Sequence, residues 1–215
     1  NPSPGAFDVG SVVQNATGIS RNLLISNSGA VGTTLTGTCT ETADPDNLFS
    51  ISNGAFSVPE GSSADVVTVA CDSAGSIATH TGTMECTHNA AGSPAVYNLS
   101  CTITPPPAPE YSSNPAPGEV INLGPTEQGD PNPSSIISIF NSGDPGTTLT
   151  GTCTRSAGDT QISVSDGSFS DAAGGGSDSQ TVSCDASAEG TYSATISCAH
   201  NGSNEPNPAT YTVNC

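Results

Sequence analysis

Along most of the chain, apolar residues alternate with polar ones in short runs, each closed by turn-forming residues. In the first half these runs cover 6–13, 20–26, 33–40, 48–52 with 55–58, 64–72, 79–88 and 96–103. Between them stand Asn27-Ser28-Gly29, Asn53-Gly54, Pro59-Glu60-Gly61, Ser73-Ala74-Gly75 and Gly92-Ser93-Pro94. Glycine supplies positive φ, proline a preset φ, and Asn or Ser a side-chain oxygen for the local backbone. Seven strand signals at this spacing predict an all-β sandwich or barrel. No apolar stripe of period 3.6 occurs, so helices beyond a single turn are not expected.

The pattern then repeats. NPSPG at Asn1–Gly5 returns as NPAPG at Asn114–Gly118, and TTLTGTCT at Thr33–Thr40 returns unchanged at Thr147–Thr154. Cys39, Cys71, Cys86 and Cys101 reappear as Cys153, Cys184, Cys198 and Cys215. The repeat predicts two domains, 1–103 and 114–215, each of ordinary domain size. Between them, 104–113 reads TPPPAPEYSS, a proline-rich linker expected to take the stiff polyproline II form.

Period two sorts the strand faces. Leu35 shares a parity with Cys39; Val67 and Val69 with Cys71; Met84 with Cys86; Tyr97 and Leu99 with Cys101. All four cysteines are therefore expected on the core face, and the second unit repeats this. Two bridges per unit follow more naturally than a metal site, since the chain has no CxxC pair. Four cysteines allow three connectivities. A symmetric hairpin centred near Ser93-Pro94 would set Cys86 opposite Cys101, leaving Cys39 for Cys71. The expected bridges are thus Cys39–Cys71, Cys86–Cys101, Cys153–Cys184 and Cys198–Cys215. Such bridges imply an oxidising compartment, with the exterior or cell surface favoured over the periplasm.

Composition narrows the function. Only 33% of residues are hydrophobic and 4% aromatic, so each unit can bury only a thin core, which cross-links would supplement. Lysine is absent and arginine occurs only at Arg21 and Arg155, against 20 acidic residues, for a net charge of −18. Nothing here could neutralise a phosphate backbone, which excludes nucleic acid as a partner. No 18-residue apolar run is present, so direct membrane insertion is not expected. The chain opens at a repeat boundary and stops on Cys215, as a processed product or a segment of a longer protein would.

Candidate chemistry is sparse. Asp44-Pro45-Asp46-Asn47 offers closely spaced oxygens in a turn, and Asp44 and Asp46 are the candidate calcium ligands. No other cofactor is implied. His88 and His200 recur two residues after a cysteine, each followed by Asn, which fits bonding to loop backbone better than metal ligation. His80 has no counterpart and is expected on an exposed strand face. No GxSxG elbow or paired-carboxylate arrangement stands out, so an enzyme is not expected. Asn15, Asn98 and Asn201 open glycosylation sequons. Sugar-binding modules stack exposed aromatic rings on their ligand. Here Tyr97 and Tyr211 are expected to point inward and Tyr111 to lie in the linker, leaving Tyr192.

A resemblance then emerges. The series runs from Pro4-Gly5 and Phe7-Asp8-Val9-Gly10 through a strand ending Asn27-Ser28-Gly29 and a cysteine strand. It continues with Phe56-Ser57-Val58…Gly61, then Val67-Thr68-Val69-Ala70-Cys71, and ends in Tyr97-Asn98-Leu99-Ser100-Cys101. This resembles the cysteine-bearing bacterial surface repeats of the Ig-like, ASPM/Hydin-type β-sandwich group. The second unit departs at Ile121-Asn122-Leu123-Gly124 and at Asp171-Ala172-Ala173-Gly174. The resemblance implies two tandem Ig-like, seven-stranded antiparallel β-sandwiches without catalytic residues, acting as a structural or adhesive stalk or filament subunit. Its partners would be like modules of the same protein or neighbouring subunits, joined by strand addition at edges that carry no lysine. The competing expectation is a carbohydrate- or calcium-binding accessory module.

Overall fold

A computed structural model describes residues 4–165, 167–204 and 207–215. The chain divides into two compact units, Asn1–Pro106 and Pro107–Cys215. Every regular element among the described residues is a strand, and each unit is an Ig-like sandwich of two sheets.

Unit 1 contains β1 (Gly5–Val13), β2 (Ile19–Ile25), β3 (Thr34–Ala43), β4 (Phe49–Ser52), β5 (Ala55–Pro59), β6 (Asp65–Cys71), β7 (Thr79–His88) and β8 (Ala95–Thr104). One sheet has the order β1-β8-β7-β3-β5 and the other β2-β6-β4. Eight strands stand where seven were expected, because the run 48–58 breaks at Asn53-Gly54. Asn53 takes φ 55°, and the chain steps there from the smaller sheet into the larger. One pair is also not antiparallel: β1 lies parallel to β8, since the strands that open and close the unit run in the same direction.

Unit 2 contains β9 (Tyr111–Asn114), β10 (Val120–Asn122), β11 (Ser134–Asn141), β12 (Thr148–Gly158), β13 (Ile162–Val164), β14 (Ser168–Ala172), β15 (Asp178–Cys184), β16 (Ser193–His200) and β17 (Ala209–Asn214). Its sheets are β10-β17-β16-β12-β14 and β13-β15-β11-β9, again with one parallel pair, here β10 and the closing strand β17. The ninth strand corrects the expected linker 104–113. Thr104 ends β8, and residues from Tyr111 onward pair with β11, because burying the Tyr111 ring draws its backbone into the sheet.

The alternation seen in the sequence becomes the core. Phe7, Leu23, Val67, Val69, Met84, Leu99 and Ile103 fill unit 1, while Ile137, Ile139, Leu149, Ile162, Val182, Ile196 and Val213 fill unit 2. All eight cysteines are oxidised and point inward, but the pairing differs from the expected one. The bridges are Cys39–Cys86, Cys71–Cys101, Cys153–Cys198 and Cys184–Cys215. The reason is register. Cys86 faces Ala95, so the hairpin centres between Ala90 and Ala91, and Cys101 falls opposite His80. Cys86 instead meets Cys39 on its other neighbour, β3, with 3.9 Å between Cα atoms. Cys101 reaches across the core to Cys71 on the smaller sheet, over a Cα separation of 6.5 Å. Unit 2 repeats both, with Cys198 facing Cys153 on β12 and Ala209 on β17. Each unit thus has one bridge within a sheet and one between sheets.

Gly37 and Gly151 explain why TTLTGTCT is retained whole. Gly37 faces Phe56 and Gly151 faces Phe169 across a strand pair. A Cβ on Gly37 would sit 2.2 Å from the Thr87 carbonyl oxygen and 2.3 Å from the Phe56 ring; on Gly151 the matching distances are 2.3 and 2.2 Å. The bare backbone is the surface on which each ring lies. Replacing either glycine by alanine forces ring and strand apart, at a cost of roughly 1–3 kcal/mol. In urea denaturation followed by NMR, G37A is expected to lower the midpoint of unit 1 alone, and G151A that of unit 2 alone. Unchanged midpoints would count against this packing.

Candidate functional site

The recurring His-Asn pair is a structural hook. Asn89 Nδ2 donates to the Thr34 carbonyl and Asn89 Oδ1 accepts from Thr36 N–H, at 2.9 and 3.1 Å. Asn201 makes the same two bonds to Thr148 and Thr150, at 3.1 and 2.8 Å. Each Asn therefore continues the strand ladder past the end of the hairpin. Asn15, Asn98 and Asn201 of the three sequons are all exposed, and the Asn201 side chain is in addition engaged in the fold.

His80 is buried, not exposed as expected. Its Nδ1 lies 2.7 Å from Asp46 Oδ2 and its Nε2 lies 2.8 Å from the Ser76 carbonyl oxygen. Both ring nitrogens face acceptors, so the doubly protonated imidazolium fits the site. The Asp46 hydrogen bond, followed by the Ser76 carbonyl, holds the His80 pKa above the usual histidine value, against the opposing effect of burial. Burial is tolerated because both ring nitrogens are partnered.

The calcium candidates lie in the same turn. Asp44 Oδ2 accepts from Phe49 N–H at 2.7 Å, while Asp44 Oδ1 is buried without a hydrogen bond. Asp46 turns to His80. Asn47, at φ 54°, closes the turn through its N–H on the Asp44 carbonyl. Calcium takes six to eight oxygen ligands. Among the described residues, no group of three or more His, Cys, Asp or Glu is placed to hold a metal. The turn is tied to the histidine.

Tyr111 anchors unit 2. It is 2% exposed, stacks on the His200 ring at 4.4 Å between centroids, and meets Phe169 edge-on at 6.1 Å. Its hydroxyl lies 2.8 Å from that of Tyr211, which also bonds Ser113 Oγ at 2.5 Å. Burial, reinforced by the Tyr211 hydroxyl, pushes the Tyr111 pKa well above its ordinary value, so the phenol stays neutral. The sequence placed this ring in the linker. The available signal was an isolated aromatic among small residues three positions before the second NPxPG box.

Tyr192, the remaining sugar-stacking candidate, is half-buried at a cleft of about 410 Å³ lined by Asn122, Gln128, Asp185 and Glu189. Its hydroxyl donates to the Ala188 and Glu189 carbonyls, at 3.3 and 3.2 Å. The two arginines are also engaged with the chain: Arg21 donates to the Asp8 carbonyl and lies over the Phe7 ring, and Arg155 donates to the Gly158 carbonyl.

No protein-family model matches the chain, and no curated protein matches it. Among solved structures it is similar to a protein of unknown function from Porphyromonas gingivalis W83, at 13% identity and TM-score 0.32, covering 94% of this chain and 92% of that one. Titin domains Z1Z2 in complex with telethonin match at 13% identity and TM-score 0.39, covering 99% and 92%. An endo-fucoidan hydrolase of glycoside hydrolase family 107 matches at 15% identity and TM-score 0.31; the match spans 99% of this chain and only 27% of the enzyme. Likeness at this level carries no argument about what the chain does.

Two predictions follow from the side chains. Y111A is expected to lower the stability of unit 2 by about 3–5 kcal/mol, as for other large buried aromatics. Denaturant titration with residue-resolved detection would check it, and a loss confined to unit 1 would contradict it. The second concerns pH. Because the folded pKa of His80 is raised, its stabilisation is complete below about 6.5, the unfolded value, and is lost as pH rises through the folded value. The urea midpoint of unit 1 should therefore fall across that window, and H80Q should flatten the dependence. An unchanged slope in H80Q would refute the assignment.

Proposed function

We propose that the chain is a non-catalytic, disulfide-stapled module of a secreted or cell-surface protein, serving as a load-bearing stalk or filament subunit of the ASPM/Hydin type. The parallel pairing of the terminal strands carries this reading. β1 pairs with β8 from Gly5 opposite Tyr97 to Val13 opposite Thr104, and in unit 2 β10, the strand after β9, pairs with the closing strand β17. In a parallel pair, tension applied at the start of one strand and the end of the other slides them along each other. The ladder is then sheared as a whole rather than opened one bond at a time.

The bridges support the same role. Cys39–Cys86 closes a separation of 47 residues and Cys153–Cys198 one of 45, so tension past the terminal strands meets a covalent short-cut. Four bridges also require an oxidising compartment, and the exterior or cell surface suits a chain of net charge −18 that must stay soluble. Like modules are the natural partners of such a unit.

Single-molecule pulling from the chain ends tests this. Each oxidised unit should yield in one discrete event. Reduction should lengthen the unit 1 event by about 160 Å, the reach of the 47-residue separation at roughly 3.4 Å per residue. Gradual, stepless extension of the oxidised protein would defeat the load-bearing reading.

A further inference from the structure

The dipeptide Asn-Gly occurs twice in the chain, at Asn53-Gly54 and at Asn201-Gly202. Glycine has no side chain to shield its backbone nitrogen, so that nitrogen can attack the amide carbon of the asparagine before it. In sequence the two pairs are alike, but the fold treats them differently. At Asn201 both reacting groups are held. Asn201 Nδ2 donates to the Thr148 carbonyl at 3.1 Å and Oδ1 accepts from Thr150 N–H at 2.8 Å, which pins the amide to β12. Gly202 N–H, the attacking group, donates to His200 Nδ1 at 3.1 Å. Closing a ring between Gly202 N and the Asn201 amide breaks all three bonds.

At Asn53 neither group is held. The residue is exposed at the step between β4 and β5, and its side chain makes no hydrogen bond among the described residues. Gly54 N–H has no partner among them either. The hydrogen bond that this pair does make runs from Cys39 N–H to the Gly54 carbonyl, at 2.9 Å, and it holds neither reacting atom. Unit 2 is built differently at the same step. Aligning Ile51-Ser52-Asn53-Gly54 with Val164-Ser165-Asp166-Gly167 puts an aspartate in the place of Asn53, and Gly167 N–H donates to the Ser165 carbonyl at 2.7 Å.

We propose that Asn53 is a modification site: it deamidates spontaneously through a cyclic imide, a reaction from which the fold shields Asn201. Gly54 N gives up its proton and bonds to Asn53 Cγ. The Cγ–Nδ2 bond breaks, and ammonia leaves with that proton. Water then opens the ring at either carbonyl and returns a proton to Gly54 N. Opening at Cγ leaves aspartate on an unchanged backbone. Opening at the main-chain carbonyl leaves isoaspartate, with the chain running through Cβ and Cγ. The two products act differently on the fold. Aspartate is what the second copy carries at this step, and like asparagine it tolerates the left-handed conformation of Asn53, at φ 55°. Isoaspartate inserts a backbone atom where the chain changes sheets. The backbone at Gly54 has no room to shift, since a Cβ there would lie 2.5 Å from the Cys39 carbonyl oxygen. The insertion therefore disturbs the start of β5, the strand that carries Phe56 into the core. Water is the only co-reactant, so the reaction proceeds whatever the module is attached to.

The test incubates the intact 215-residue chain in mildly alkaline buffer, folded in one arm, reduced and unfolded in guanidinium chloride in the other. Peptide mapping by mass spectrometry follows both sites, with isoaspartate told from aspartate by electron-transfer fragmentation. In the folded chain Asn53 is expected to convert at least tenfold faster than Asn201. In the unfolded chain, where the restraints on Asn201 are gone, the two should convert at similar rates. The isoaspartate form should also show a lower urea midpoint for unit 1 than N53D, which carries aspartate from the outset. Persistence of Asn53 in the folded chain, conversion of Asn201 at the same pace, or the same preference in the unfolded chain would each overturn the proposal. Equal midpoints would overturn the effect assigned to the inserted atom.

Discussion

Each sandwich is thin, and the tie through its centre is covalent. Cys71–Cys101 and Cys184–Cys215 join the two sheets where a larger protein would interleave bulky side chains. Aromatics are 4% of residues, and Val, Ile and Leu with a few Phe and Tyr rings fill the two cores. A disulfide restricts the unfolded chain, and in a domain of this size about 2–4 kcal/mol per bridge is a large share of the net stability. The acidic surface can then be carried without a larger core.

The second bridge of each unit acts differently. Cys39–Cys86 and Cys153–Cys198 join neighbouring strands of one sheet that are already hydrogen-bonded. Together with the Asn89 and Asn201 hooks and the Phe56 and Phe169 rings on bare glycine, they hold β3 and β12 on both sides. This explains why the stretch Thr33–Thr40 is repeated without change: nearly every residue in it is engaged by a neighbour on one side or the other. Loops away from it, such as Asp171–Gly174 against Val58–Gly61, are where the two copies diverge.

The strands were legible because period two shows directly in the residues, and the inward face of each cysteine followed from the same parity. Partner choice was not legible. It turns on whether the β7–β8 hairpin closes at Ala90–Ala91 or three residues later, and the loop Asn89–Pro94 contains turn formers at both places. His80 was misread for a related reason. Lacking a counterpart made it look expendable, whereas its burial depends on Asp46 and the Ser76 carbonyl, both brought to it by loops. Tyr111 was hidden by its company: prolines and serines read as a linker, and only the cluster of Phe169, His200 and Tyr211 shows what the ring is for.

The order of the bridges along the chain has a consequence for how the protein is made. In each unit the two loops interleave: the first cysteine pairs with the third, and the second with the fourth. A chain threaded into an oxidising compartment from its N-terminus presents Cys39 and Cys71 together before Cys86 arrives. Oxidation at that moment would join the wrong pair. Correct bridges therefore require β7 to dock on β3 before the thiols react, or a thiol-exchange catalyst to undo the first product. A host for this protein needs either oxidation slow enough to follow that docking or disulfide isomerisation beside it.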